Sequence, residues 1–313
     1  MTPTPEDLST PRTGIAVFGS TNMDHVVYVD HPPARSETVT GHDFRTIPGG
    51  KGANQAVAAA RAGAREVTMI GAVGNDPHGA ALRTALTSSG VDTDSLRTVE
   101  GLSGTAHIVV DATGGRAIAV IPGANSTVSA LAAGDEAVIA SAGTLLLQLE
   151  LPLPGVTAAA EAARRNDVRT ILTPSPAQPL PPELLAVTDL LIPNQIEAQT
   201  LTGHTDPHEA AAALLAQVPA VLITLGVHGS LYAARDAEPL LIPAPPVTAV
   251  DATGARDAYV GALAVALGEG RTVEEAMNWA TAAAALCVQE IGAAPSMPYR
   301  AAIDTANEAA RLH

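Results

Sequence analysis

Short apolar runs alternate with helix-patterned segments through most of the chain, and this alternation limits the possible folds more than any other feature. Gly14–Gly19, Thr144–Glu150, Thr170–Leu172, Leu190–Pro193 and Val221–Leu225 read as buried strands. Ala56–Ala62, Ala158–Arg165 and Thr281–Val288 read as Ala-rich helices. Strands without a polar face must be covered on both sides, which a parallel sheet with right-handed helical crossovers achieves. The expected fold is α/β, a three-layer αβα arrangement around a mostly parallel sheet. No long linker or internal repeat interrupts residues 1–313, and the Pro-rich stretches Thr173–Pro182 and Pro239–Pro246 are short enough to be loops, so a single domain is expected. Two segments depart from the pattern. His25–Thr46 and Thr105–Pro122 alternate with period two, which predicts a small separate sheet built from insertions at about 25–46 and 103–122, a lid over a site.

The stretch Val250–Gly268 holds the densest chemistry. Val247–Val250 reads as a strand, Ala252–Ala255 as a small-residue turn, and Val260, Leu263 and Leu267 recur at helical spacing up to Gly268. The unpaired N–H groups of such a helix start, at the positive end of its dipole, can hold an anion. Asp257 lies in the first turn, where a carboxylate either complements the dipole or does chemistry. Upstream, Asn22 and Asp24 follow the first strand, as an Asx turn or as ligand-facing groups at a strand's C-terminal end. Gly49-Gly50-Lys51-Gly52-Ala53-Asn54-Gln55 opens a helix with glycines that permit close backbone approach. It is no Walker A loop, since Gly52 follows Lys51 where Ser or Thr is required. Lys51 is the only lysine, the other basic residues being arginines, which suggests a placed cation.

Composition narrows the partner. A net charge of −15 without a basic block argues against nucleic acid or an anionic membrane surface, leaving a small molecule. The single cysteine, Cys287, excludes an intrachain disulfide and reads as a buried small hydrophobe of a reducing compartment. Met1–Thr13 is polar and reads as a frayed start with no apolar leader core, and no run is long enough to span a bilayer, so a soluble, cytoplasmic protein is expected. The histidines form no H-E-x-x-H pattern and read as surface or core residues.

Taken together, Asn22-Met23-Asp24, Gly49–Gln55 and Asp251-x-x-Gly254-Ala255-x-Asp257 resemble the ribokinase-like sugar kinase family. Pro122-Gly123-Ala124-Asn125, Gln148-Leu149-Glu150, Asn194-x-x-Glu197, Thr224-Leu225-Gly226 and Gly292–Ser296 keep the family's order over almost the whole chain. The resemblance implies ATP-dependent phosphorylation of D-ribose to ribose 5-phosphate. On that resemblance Asn22, Asp24, Gly50, Lys51, Gly52, Asn54 and Glu150 would hold the sugar, and Asp257 would be the general base. The N–H groups of Gly254, Ala255, Arg256 and Asp257 would form the anion hole, with Lys51 assisting. Asn194, Thr224, Gly226, Gly229, Gly254 and Thr281 would contact the nucleotide, and Asn194 with Glu197 would organise Mg²⁺ through water, unless they are only a capped helix start. It further implies a K⁺ site drawn from Asp251, Thr253, Cys287, Glu290, Gly292 and Ser296, and a homodimer joined through the lid.

The sequence departs from the family at three positions. Ala252 stands where Thr is usual, Thr281 where an adenine-contacting Asn or His is common, and Arg256 where the anion hole has Gly. Arg256 would obstruct the γ-phosphoryl, turn to solvent, or assist as a guanidinium; obstruction is the expectation, because a hole that works with Gly gains little from a side chain there. The alternatives to a ribose kinase are a kinase for another pentose or a nucleoside, or an impaired sugar- or nucleotide-binding homologue.

Overall fold

The structure, a computed structural model, describes residues 13–235 and 237–310. Of the expected frayed start Met1–Thr13, all but Thr13 lies outside the described residues. Among the described residues thirteen strands are formed: β1 Ile15–Phe18, β2 Asn22–Tyr28, β3 Asp43–Gly49, β4 Val67–Gly74, β5 Leu96–Val99, β6 Gly104–Val110, β7 Arg116–Ile121, β8 Thr144–Leu147, β9 Arg169–Leu172, β10 Leu190–Leu191, β11 Ala220–Thr224, β12 Ser230–Ala234 and β13 Leu240–Ile242. The helices are α1 Lys51–Arg61, α2 Pro77–Ser88, α3 Asp135–Ser141, α4 Leu153–Arg165, α5 Pro182–Ala186, α6 Gln195–Thr202, α7 Pro207–Leu215, α8 Ala255–Gly268, α9 Val273–Cys287 and α10 Arg300–Ala310.

Nine strands make one sheet in the order β13-β12-β11-β10-β9-β8-β1-β4-β5. It is parallel except for the β11-β12 and β12-β13 pairs. Alternate residues point to opposite faces, so Ile15 and Val17 pack with α1, α8 and α9 while Ala16 and Phe18 pack with α4 and α7. Two cores on one sheet give the expected three layers. The period-two segments form the second sheet, β3-β2-β6-β7. Its strands reach further than expected, because β2 begins at Asn22 and β3 runs on to Gly49. Asn22 and Asp24 are therefore strand residues and not an Asx turn.

Val247–Val250 is not a strand. Pro243, Pro245 and Pro246 just before it cannot donate to a ladder, and the next amides, of Val250 and Asp251, go to the carbonyl of Val288. The turn at Gly254 is thus hung from the end of α9 and not from a strand. Close helix packing then brings the two motif-bearing helix starts together. A Cβ at Gly261 of α8 would sit 2.6 Å from the Ala58 Cβ and 2.9 Å from the Gln55 carbonyl of α1, so the missing side chain sets how near α8 lies to α1.

Among the histidines, His25, His78 and His107 cluster between the small sheet and α2, with ring centroids 5.2 and 5.3 Å from His25. Burial first, then the other two imidazoles, hold His25 below its usual range. Among the described residues no helix is long and apolar enough to cross a membrane.

Candidate active site

Asp257 is the third residue of α8 and is buried. Gln55 donates to its Oδ1 at 3.0 Å and Asn54 to its Oδ2 at 3.2 Å. Gln55 is itself fixed, its Oε1 accepting from Gln148 Nε2 at 2.7 Å. Burial raises the Asp257 carboxyl above its ordinary range, opposed by Lys51, Gln55, Arg256 and Asn54. The result is a carboxylate of fixed orientation and strengthened basicity at the bottom of a helix start that no side chain caps. Gly254, at the helix N-cap with φ +78, adopts the left-handed backbone that starts this turn.

Near Asp257 lies an acidic pair, Asp24 and Glu150. Burial, then the neighbouring Glu150 charge, push the Asp24 carboxyl up to about 7, with Lys51 pulling it down and Asp257 adding to the rise. Glu150 is held by the hydroxyl of Ser20, the Lys51 amide at 3.1 Å and Asn22 Nδ2 at 3.5 Å, with Lys51 Nζ 3.9 Å away. Asn125 fixes Asn22 by donating to its Oδ1 at 2.8 Å. The buried Asn54 Oδ1 has no partner among the described residues. Acidic acceptors, an ammonium and an unspent amide oxygen are thus gathered in one place, a donor and acceptor set that can pair with several hydroxyl groups at once.

The glycines at the start of α1 act differently from the expectation. A Cβ at Gly50 would lie 2.7 Å from the Asn22 amide, and one at Gly52 2.6 Å from the Ser20 amide. The close approach is made by the chain's own backbone, clamping the start of α1 onto the β1–β2 turn. Gly229 is similar, since its Cβ would come 1.9 Å from the Ile242 carbonyl. Thr224 bridges to Asn194 at the end of β11, Gly226 opens the turn after it with φ +60, and Thr281 is buried on α9.

Asn194 and Glu197 form a capping box at α6, Asn194 Oδ1 accepting from the Glu197 amide at 2.7 Å and Glu197 Oε2 from the Asn194 amide at 2.9 Å. Arg256 belongs to the same cluster. Its guanidinium neither enters the turn nor faces solvent, contrary to the expectation of obstruction, but grips both Glu197 oxygens.

Asp251, Thr253, Gly292, Cys287 and Ser296 are also gathered. Asp251 Oδ1 accepts from the Thr253 amide and hydroxyl at 2.9 and 2.6 Å, and Oδ2 from the Gly292 amide at 2.9 Å. Burial alone would raise Asp251; these bonds and Arg116 outweigh it and hold the carboxyl low. The Cys287 thiol, pushed up to about 11 by burial, meets Ser296 Oγ at 3.0 Å. Glu290 is exposed and touches this cluster through its amide on the Cys287 carbonyl.

Residues 12–300 match the family model of the pfkB family carbohydrate kinases. The chain belongs to the pfkB family. Two bacterial pfkB relatives named ribokinase are similar over nearly their full length. The one from Haemophilus influenzae is 40% identical, covering 92% of this chain and 96% of the relative. The one from Bacillus subtilis is 44% identical, covering 91% and 96%. Among solved structures, Arabidopsis thaliana ribokinase complexed with ribose and ATP superposes with a TM-score of 0.89 at 34% identity, over 95% of this chain and 99% of that one.

Within this pfkB kinase three contributors were missed by sequence reasoning. Gln55 lay inside a recognised motif, but nothing in the sequence says which of two adjacent amides reaches Asp257; both do. Ser20 lies 130 positions before Glu150. Arg116 comes from β7 and bonds Asp251 Oδ1 at 2.6 Å, tying the small sheet to the α8 turn. Such long-range contacts leave no periodic signal.

Proposed function

We propose that the chain is an ATP-dependent kinase converting D-ribose and ATP to ribose 5-phosphate and ADP. The observation that carries this reading is the buried Asp257, clamped by two amides at an uncapped helix start. Asn22, Asp24, Asn54, Glu150 and Lys51 hold the sugar hydroxyls, with Gly50 and Gly52 fixing the loop that presents them. Asp257 accepts the proton of the attacking hydroxyl, that oxygen bonds the γ-phosphorus, and the bridging P–O bond breaks toward ADP. The charge carried by the transferring group falls on the N–H groups of Gly254, Ala255, Arg256 and Asp257. Phosphoryl transfer asks mainly for this positioning and charge stabilisation. Asn194, Thr224, Gly226, Gly229 and Thr281 border the nucleotide, and the small sheet acts as a lid that Arg116 holds to Asp251.

The oxygens of Asn194 and Glu197 beside the turn suit Mg²⁺, a hard ion that keeps most of its waters and asks for few protein ligands. Bound there with ATP, it supplies neutralisation of phosphate charge. The carbonyls around Thr253, Cys287, Glu290, Gly292 and Ser296, with Asp251, offer an oxygen-rich nest suited to K⁺. A coupled assay of ADP release across pentoses, hexoses and nucleosides tests the reading, with D-ribose expected to be preferred and potassium salts to give faster turnover than sodium salts. Turnover of a nucleoside in preference to ribose would overturn the substrate assignment, and equal rates in the two salts the K⁺ site.

A homodimer through the lid completes the proposal. Ile118 and Val120 of the edge strand β7 are 58% and 46% exposed and share a sheet face with Ile108 and Ala106, and an apolar edge of this kind invites pairing across a two-fold axis. Light scattering at micromolar concentration should give a mass near twice 31.6 kDa; a monomer would rule it out.

A further inference from the structure

Arg256 and Glu197 form the least exposed ion pair near the turn. Their side chains are 18% and 8% exposed, Nη2 donates to Oε1 at 2.9 Å, and Nη1 meets Oε2. Oε2 also accepts from the Asn194 amide. Three donors therefore converge on one carboxylate.

The electrostatics of the two partners point in opposite directions. A carboxylate this deeply placed needs a positive charge beside it. A guanidinium on the second residue of α8 sits at the positive end of a helix dipole, where a cation is disfavoured unless an anion compensates. Each partner thus satisfies the other as long as neither has a better one. A nucleotide's phosphates at the α8 turn would be a better partner for Arg256, and a divalent cation a better partner for Glu197. Both arrive together, and the exchange conserves charge at each position.

We propose that Arg256 is a built-in counter-ion that occupies Glu197 in the empty enzyme and leaves it for the nucleotide phosphates when a divalent cation takes its place. Arg256 is on this view a positioning residue, and its presence makes divalent-cation binding weaker and more dependent on nucleotide than Gly at the same position would. The identity of the cation and nucleotide rests on the kinase reading above, whereas the ion pair does not.

The test is Mn²⁺ titration, by calorimetry and by the loss of the free-ion paramagnetic resonance signal, of wild type, Arg256→Gly and Arg256→Lys in the absence of nucleotide, where no phosphate draws Arg256 away or chelates the ion. Release of a charge-assisted, bidentate competitor should tighten Mn²⁺ binding to Arg256→Gly roughly tenfold. Arg256→Lys should move most of the way with it, because an ammonium cannot span both carboxylate oxygens. Without nucleotide, millimolar Mn²⁺ should raise the melting temperature of Arg256→Gly by several degrees and leave that of wild type almost unmoved, since only the variant has an uncompensated Glu197. If Arg256→Lys behaves as wild type while Arg256→Gly binds tighter, charge alone is responsible and the occupancy proposal fails. Equal Mn²⁺ affinity in wild type and Arg256→Gly also overturns it and leaves the kinase reading intact. A wild-type chain that binds neither ADP nor Mn²⁺ overturns both.

Discussion

Asp257→Asn is expected to leave a folded protein that still binds ribose and turns over ~10²–10⁴-fold more slowly, the usual worth of a general base. Asn has the same shape, so the pocket need not collapse. Its amide must face one of two donors, and the choice is already made by the surroundings. Gln55 could turn only together with Gln148, which donates to its Oε1, whereas Asn54 has an unspent Oδ1 that can accept from the new amide after a flip of its own. The variant therefore satisfies its hydrogen bonds but has no base. In wild type the rate should fall as pH drops through the raised pKa of Asp257, because only the ionised form accepts a proton; the residual rate of the variant should lose that dependence. Calorimetry with ribose beside steady-state kinetics decides the matter, and near-wild-type turnover would remove Asp257 from its role.

The substitution should act on stability in the opposite sense to its effect on rate. A carboxyl whose folded pKa is raised favours the fold while it is protonated, and that contribution disappears as pH rises. At pH 8 Asp257→Asn should melt above wild type in the absence of ligands. Catalytic competence and resting stability oppose each other at this position.

How much of this could be read in the sequence depends on how far each contact reaches along the chain. The layered fold follows from uninterrupted apolar strands, a local signal, and Ile15–Phe18 sits between β4 and β8 as such a strand must. The start of α8 and the capping box at α6 are also local and were visible as motifs. What was hidden is where a side chain goes when several destinations are open. Arg256 could be recognised as misplaced for an anion hole, but its attachment to Glu197, 59 positions earlier, depends on how the fold brings the starts of α8 and α6 within reach of each other. Gly50 and Gly52 were legible as points of close approach, though not what approaches them. The supposed strand at Val247–Val250 failed for a different reason, since β-branched residues set local preference only and the prolines ahead of them leave no ladder to join.

Asp24→Asn should stabilise the resting protein and weaken its hold on ribose. The shift of the Asp24 carboxyl from 3.8 to about 7 corresponds to a penalty on its ionised form of about 4 kcal/mol at most. The folded chain keeps this proton where the unfolded chain releases it, so the favourable contribution is complete below the unfolded pKa and is gone once pH passes about 7. His25 runs the other way, its lowered pKa costing stability on acidification through the ordinary imidazole range. The informative quantity is therefore the difference between wild type and Asp24→Asn, which should be small below pH 3.8, grow steadily between there and about 7, and be at its full size by pH 8. Ribose reverses the balance, because its hydroxyl donors favour the ionised carboxylate. Binding to wild type should release a proton near neutral pH, visible as a dependence of the calorimetric heat on the buffer's ionisation enthalpy. Loss of a charge-assisted hydrogen bond should weaken ribose binding to the variant by ~10- to 100-fold. If Asp24→Asn melts no higher than wild type at pH 8, Asp24 is not carrying the burial penalty, and if it binds ribose as tightly, Asp24 is not a sugar ligand.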